Sequence, residues 1–306
     1  MPKEVFGPSF SFLPRSELLS FEEITRLASA FASLGVSKLR LTGGEPLLRT
    51  ELEKLISMLG GIDGIEQLAL TTNGTALAGR AEDLRLAGLT RVTVSLDALD
   101  DKAFGEMNGL GVPVARVLEG IEAALACGLA PVKVNMVVRR GVNEHSILPM
   151  AEHFRERGLT LRFIEYMDVG NTNGWSPQDV VPAGEIRGLI EARWPLERLE
   201  PDHAGEVAVR YRYRDGAGEI GLIASVTEPF CGGCTRARIS SDGKLHTCLF
   251  SGTGHDLRTP LRAGADDLEI ERLIAGIWSG RADRYSQLRA LTAEAAARPE
   301  MSYIGG

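Results

Sequence analysis

Five times in the first 167 residues an amphipathic stretch closes on glycine and gives way to a short apolar run, a repeat that restricts the possible folds severely. Ser20 and Glu23 have the spacing of a capping box, and Ile24, Leu27, Ala28 and Phe31 recur behind them at helical intervals. Gly35 stands where a helix ends in the left-handed conformation that a β-carbon penalises. Lys38-Leu39-Arg40-Leu41-Thr42 follows as a strand. Thr50 with Glu53 predicts a second capped helix whose apolar face is Leu52, Leu55, Ile56 and Leu59; Gly60 and Gly61 close it before Gln67-Leu68-Ala69-Leu70-Thr71. Gly88, Gly128 and Gly158 then precede Arg91-Val92-Thr93-Val94-Ser95, Val132-Lys133-Val134-Asn135-Met136-Val137-Val138 and Leu161-Arg162-Phe163-Ile164-Glu165-Tyr166.

Strands alternating with helices predict an α/β chain with a parallel sheet wrapped by helices. A barrel and a doubly wound sheet share this local pattern. In both, ligands gather at the carboxyl ends of the strands. Those ends carry Thr42-Gly43-Gly44-Glu45-Pro46, Thr71-Thr72-Asn73-Gly74, Ser95-Leu96-Asp97 and Glu165-Tyr166-Met167-Asp168. A lone Asn-Gly or Asp is ordinary turn chemistry, but four polar strand ends together predict one shared site. Beyond Met167 the repeat breaks. Residues 168–175 read as a loop, 183–193 as a helix, and 207–213 as a strand antiparallel to 219–223 through an Asp215-Gly216 turn. Helices are expected over 267–278 and 283–297. The expected division is a barrel with its extension over 1–215 and a smaller cap over 216–306.

Composition excludes some functions. A net charge of −7 argues against a large nucleic-acid surface while leaving room for a small anion on a local cationic cluster. The apolar runs are too short to span a membrane, and residues 1–8 lack the apolar core of a signal peptide, so a cytoplasmic location is expected. Of four cysteines, Cys127 reads as a small core residue. Cys231, Cys234 and Cys248 form Cys-x2-Cys-x13-Cys, which points to metal or redox chemistry rather than disulfides. Three thiolates are one short of a closed site. Spacing fits iron–sulfur and zinc equally, the latter completed by His246 or His255. Thr235-Arg236-Ala237-Arg238 sets two guanidiniums beside the thiols, on one face if the segment is extended. Solvated surface arginines are the plain alternative; the sharper reading is a grip on a polyphosphate that also ligates the open metal position.

The Leu39–Arg49 run with its Gly-Gly-Glu-Pro turn, the Thr71-Thr72-Asn73-Gly74 and Ser95-Leu96-Asp97 strand ends, Phe163-Ile164-Glu165-Tyr166-Met167, the cysteine triad with its Arg-x-Arg, and the terminal Tyr303-Ile304-Gly305-Gly306 together resemble the GTP 3',8-cyclases, radical-SAM enzymes of molybdenum cofactor biosynthesis. The resemblance runs through essentially the whole chain in order. It implies a partial (β/α) radical-SAM barrel, its first strand missing, with a C-terminal cap that carries a second iron–sulfur cluster. It implies a reaction in which a SAM-bound 4Fe–4S cluster generates a 5'-deoxyadenosyl radical. That radical abstracts the ribose 3' hydrogen of GTP, and the resulting carbon radical attacks guanine C8. By the resemblance Gly44, Ser95 and Met167 contact SAM; Arg40, Thr71, Lys133, Arg236 and Arg238 contact GTP; Cys231, Cys234 and Cys248 hold a 4Fe–4S cluster whose open iron takes the guanine. The terminal Gly305-Gly306 reaches towards the site. The implied partners are GTP and an electron donor, with no nucleic acid and no membrane; a homodimer is compatible.

One motif of the family is missing. Its SAM-side cluster sits on a Cys-x3-Cys-x2-Cys loop, and residues 1–306 contain no such motif. In the family a Met-Pro follows that loop, as Met1-Pro2 opens this sequence. The expectation is that strand one and the loop lie upstream, in roughly thirty further residues, and that a chain without them cannot cleave SAM. The readings that compete are another radical-SAM enzyme such as a peptide modifier, an inactive remnant, and a zinc-stabilised nucleotide-binding barrel.

Overall fold

The computed structural model describes residues 13–109, 111–170, 173–203, 205–250, 252, 254–289 and 300–304. Met1-Pro2, Gly305-Gly306 and the end of the helix expected over 283–297 lie outside the described residues. The chain runs α1 (Phe21–Ser33), β1 (Lys38–Leu41), α2 (Leu52–Gly60), β2 (Gln67–Thr72), α3 (Ala81–Leu86), β3 (Arg91–Ser95), α4 (Asp101–Asn108), α5 (Val114–Ala126), β4 (Lys133–Val138), α6 (Ile147–Phe154) and β5 (Thr160–Glu165). After a loop come α7 (Ala183–Arg193), β6 (Leu196–Arg198), β7 (Val209–Tyr213) and β8 (Glu219–Ile223). The remainder holds β9 (Arg238–Ile239), β10 (Lys244–His246), β11 (His255–Asp256), α8 (Arg258–Arg262), α9 (Asp267–Ser279), α10 (Tyr285–Leu288) and α11 (Met301–Ile304).

Eight strands form one sheet in the order β1-β2-β3-β4-β5-β8-β7-β6. Strands β1 to β5 and β8 are parallel, and β7 and β6 continue the sheet antiparallel. A doubly wound sheet reverses its strand order at a switch point; here the first five strands follow one another without reversal, as in a barrel. The main core lies on one face only. Leu68, Leu70, Val92, Val94, Val134, Met136, Leu161 and Phe163 point into it and pack against α2, α3, α5 and α6. The period of two then sends Lys38, Arg40, Thr71, Arg91, Thr93, Lys133, Asn135 and Arg162 to the opposite face. The architecture is a partial (β/α) barrel.

Two sequence expectations need correction. The capping box at Ser20 and Glu23 forms, with both reciprocal hydrogen bonds. No such box forms at Thr50: the N-cap of α2 is Glu51, with φ 59° and no side-chain cap. Glu53 is drawn away because its carboxylate takes the Arg80 guanidinium, Nε to Oε1 at 3.1 Å. The expected division at 215 falls in the turn between β7 and β8, inside the sheet, because β8 pairs with β5. The cap therefore starts after β8. Its three-stranded sheet β11-β10-β9 and helices α8 and α9 share a second core with α1, through Leu19, Leu27, Ala30, Leu245, Leu257, Leu261, Ile270 and Ile274.

Helix α5 seats against the polar turn after β2, and Gly120 permits it: a β-carbon there would stand 2.6 Å from the Gly74 carbonyl oxygen. Gly120→Ala should therefore destabilise the protein by roughly 1–2 kcal/mol, the cost of overpacking less what alanine returns in helix preference. Gly276→Ala, in α9 with nothing near its added carbon, should be neutral or stabilising. Urea unfolding midpoints measure both, and equal midpoints for the two variants would contradict the packing argument.

Candidate active site

On the concave face, Arg40 Nη1 donates to Thr71 Oγ1 at 2.7 Å and to Thr93 Oγ1 at 3.1 Å. Arg162, two strands on from β3, donates from Nε to Asn135 Oδ1 at 2.9 Å and from Nη2 to Thr93 Oγ1 at 3.4 Å. Gly221 on β8 makes room for its stem, since a β-carbon would meet Arg162 Cγ at 3.0 Å. Lys133 pairs in register with Thr93 between these two arginines. The hydroxyls and amide satisfy donors but bring no negative charge. Water reaches Arg40, yet protein crowds it on most sides, as befits a group lining a hollow. Burial, with Arg91 adding repulsion, lowers Arg40 to about 10. Burial and repulsion from Arg40 and Arg91 lower Arg162 to about 10. Lys133 falls to about 8 through burial and repulsion from Arg162, Arg91 and Lys38, and Lys38 likewise falls to about 8. The carboxylate that opposes this, acting on Lys38, Lys133 and Arg162, is Glu206. Such a face is built to receive a polyanion.

The three cysteines are half-buried in the cap. Cys231 and Cys234 bracket a single tight turn, and Cys248 follows β10. Backbone and guanidinium N–H groups approach the sulfurs: Arg236 Nη2 to Cys234 at 3.5 Å and Phe250 N to Cys248 at 3.5 Å. Burial would raise Cys234, but the charge and hydrogen bonds of Arg236, with Arg281 beyond, bring it below the usual thiol range. Burial raises Cys248. Arg238 lies on β9, lowered to about 10 by burial and Arg236 while Cys234 and Cys248 act the other way. The Arg-x-Arg pair thus stands beside the thiols. Among the described residues no three His, Cys, Asp or Glu side chains are gathered as a single-ion site. His246 sits edge-on to Tyr303 at 6.2 Å, and the charges bearing on it are Asp242, Lys244, Arg238 and His255.

The concave cations and the thiol loop meet through the segment between β6 and β7. Glu206 bears on the cations, and a β-carbon on its neighbour Gly205 would lie 3.0 Å from the Gly233 carbonyl. A cleft of about 200 Å³ opens between Glu206, Pro229, Phe230, Gly233 and Gln287. Gly44, Ser95 and Met167 stand at the carboxyl ends of β1, β3 and β5. Asp97 is enclosed near Ser95; burial pushes its carboxyl up to about 6 although the Val137 N–H donates to it at 2.8 Å.

Two acids expected at the strand ends do other work. Glu45 accepts from Thr72 Oγ1 at 2.7 Å and Asn73 N at 2.8 Å, pinning the Gly-Gly-Glu-Pro turn to β2. Glu165 is fully buried and accepts from Ala183, Val226 and Thr227 N–H groups at 2.8–2.9 Å, fixing the start of α7 and the chain after β8. Sequence reasoning missed Arg162, Thr93 and Asn135 as site-facing groups. The alternation Leu161-Arg162-Phe163, a cation between two core residues, carried that signal.

Residues 6–154 match the Radical SAM superfamily and residues 159–287 match Molybdenum Cofactor Synthesis C. The fold and its thiol-bearing cap are therefore those of a radical-SAM protein of the molybdenum cofactor type. The chain is 52% identical to the GTP 3',8-cyclase of Acidothermus cellulolyticus, aligning all of itself with 91% of that protein. With the same coverage it is 50% identical to the GTP 3',8-cyclase of Xanthomonas axonopodis pv. citri and 46% identical to that of Staphylococcus epidermidis. It belongs to the GTP 3',8-cyclase family.

Lysines with pKa values near 8 give the concave face a testable pH signature. A bound polyanion favours the ammonium form, so it raises these values, and binding near pH 8.5 should take up protons. Affinity for inorganic triphosphate should fall as pH rises above about 8, by up to about ten-fold per pH unit for each lysine that must be reprotonated. Calorimetry at pH 8.5 in buffers of different ionisation heat measures the uptake; identical heats in all buffers would contradict it.

Proposed function

We propose that this chain binds GTP between the concave cations and the cap thiols and serves its 3',8-cyclisation in molybdenum cofactor synthesis, in the cytoplasm and with an external electron donor. The observation that carries the reading is the excess positive charge of Arg40, Lys133 and Arg162, opposed only in part by Glu206, on the concave face of the sheet, with Arg236 and Arg238 beside three thiols. Arg40, Thr71 and Lys133, joined by Arg162, hold the triphosphate; Arg236 and Arg238 orient the nucleotide at the thiol end. Charge-assisted bonds from arginine to phosphate are short and directional, so several of them fix a flexible ligand in one pose. Gly44, Ser95 and Met167 contact SAM at the strand ends.

Three thiols with N–H donors at two of them suit a 4Fe–4S cluster with one open iron, held by Cys231, Cys234 and Cys248. That cluster supplies a Lewis-acidic iron for the purine. For the SAM-side cluster the residues present do not offer a ligand set. Cys127 closes α5, its thiol donating to the Ala124 carbonyl at 3.4 Å, and the other three cysteines belong to the cap.

Anaerobic reconstitution should give about four iron per chain with a spectrum perturbed by GTP, and Cys248→Ser should abolish the perturbation. Stoichiometric zinc with no response to GTP would refute the reading.

A further inference from the structure

The segment from Arg281 to Arg289 makes contacts on two sides. On the cap side, Arg281 Nη2 donates to the Cys234 carbonyl, Thr247 Oγ1 donates to Asp283 Oδ2 at 2.6 Å, and the Tyr285 ring stacks on Phe250 at 4.6 Å. These contacts fall on the two thiol-bearing loops, next to or within two residues of Cys234 and Cys248. On the sheet side, Tyr285 Oη donates to Asp168 Oδ2 at 2.5 Å, and Arg289 meets Asp168 Oδ1 with Nε at 2.9 Å and Nη2 at 2.8 Å. Arg289 Nη1 also donates to the Ser225 carbonyl at 3.4 Å. Asp168 follows Met167 at the end of β5, and Ser225 follows β8. The guanidinium lies over the rings of Trp175, Phe250 and Tyr285 at 5.5–5.8 Å, and Trp175 is itself fixed by its Nε1 donating to the Tyr166 carbonyl at 2.8 Å.

The Asp168–Arg289 pair is nearly closed to solvent, the two side chains 9% and 12% exposed. A buried pair gains little net stability over apolar side chains of the same size, but it permits one arrangement and penalises others. Here the arrangement it selects is the placement of the thiol loops relative to the ends of β5 and β8. We propose that Arg289, gripped by Asp168 and Tyr285, is a positioning residue: it sets the distance between the cap thiols and the concave cations, so that one nucleotide reaches both. The inference rests on the GTP reading given above and adds to it the element that fixes the span.

The test compares two ligands on the iron-loaded protein. GTP must bridge cap and sheet; inorganic triphosphate needs the concave face alone. Arg289→Met removes the charge while keeping the bulk, Arg289→Lys keeps the charge without the fork, and Asp168→Asn keeps hydrogen-bonding capacity without the counter-charge. Iron content, affinity for each ligand and the GTP-induced spectral change are read for each. Arg289→Met should retain iron and triphosphate affinity while binding GTP about ten-fold more weakly, with partial recovery in Arg289→Lys. The double variant Arg289→Met with Asp168→Asn should lose less than the sum of the two single losses, since the pair acts as one unit. Unchanged GTP affinity in Arg289→Met would overturn the proposal, as would equal weakening of both ligands. Loss of iron in both Arg289→Met and Asp168→Asn would also overturn it, making the segment a requirement for building the cluster. Wild-type protein that takes up iron but ignores GTP would instead refute the substrate reading, independently of Arg289.

Discussion

Like charges gathered in a hollow repel one another, and the concave face of this sheet gathers Lys38, Arg40, Arg91, Lys133 and Arg162. The period of a strand makes the gathering unavoidable. Each of these residues alternates with an aliphatic or aromatic neighbour that must face the helices, so burying Leu39, Val92, Val134 and Phe163 sends the cations inward. Thr71, Thr93 and Asn135 accept N–H groups of Arg40 and Arg162 without neutralising them. The folded chain thus holds an electrostatic cost that Glu206 offsets in part and that an anion of several charges would relieve further. Core burial on the opposite face stabilises the sheet enough to carry it.

The cap is tied to the sheet at both flanks of the parallel strands. At the β1 flank it shares a core with α1, reinforced by Arg26 on Asp267 at 2.7 Å and Arg262 on Glu23 at 2.7 Å. At the β5 and β8 flank it is held by Asp168, Tyr285 and Arg289. Anchors on two sides fix the thiol-bearing loops relative to the sheet, with Gly205, beside Glu206, against the Gly233 carbonyl. A sheet with cations on its concave face and a thiol-bearing cap tied to both flanks offers a ligand contacts on two parts of the fold.

How much of this was legible in the sequence depended on the range of the interaction. Period-two strands and period-3.6 helices are local, so β1 to β5, β7, β8, α1, α2, α7 and α9 were read to within a residue or two, and Arg40 and Lys133 stood out as charges inside strands; α3 to α6, β6, β9 to β11 and α8 were given no bounds. The capping box at Ser20 is also local and formed; that at Thr50 failed because Glu53 found Arg80, 27 positions away. Glu165 looked like a ligand-facing acid at a strand end, but three N–H groups from α7 and the chain after β8 converge on it, and nothing near it in sequence announces them. Asp168 and Arg289 are 121 positions apart; no spacing rule links them, and their pairing exists only once the cap has folded over the sheet. The turn at Asp215-Gly216 was read correctly as a hairpin, but its membership of the main sheet depended on pairing of β8 with β5.

The central claim is that one nucleotide spans the concave cations and the cap thiols. The most direct measurement is a crystal structure of the iron-loaded protein with GTP. The account predicts phosphate oxygens within hydrogen-bonding distance of Arg40, Lys133 and Arg162 and the purine against the centre held by Cys231, Cys234 and Cys248. A triphosphate bound away from the concave face, or a purine remote from those thiolates, would contradict it.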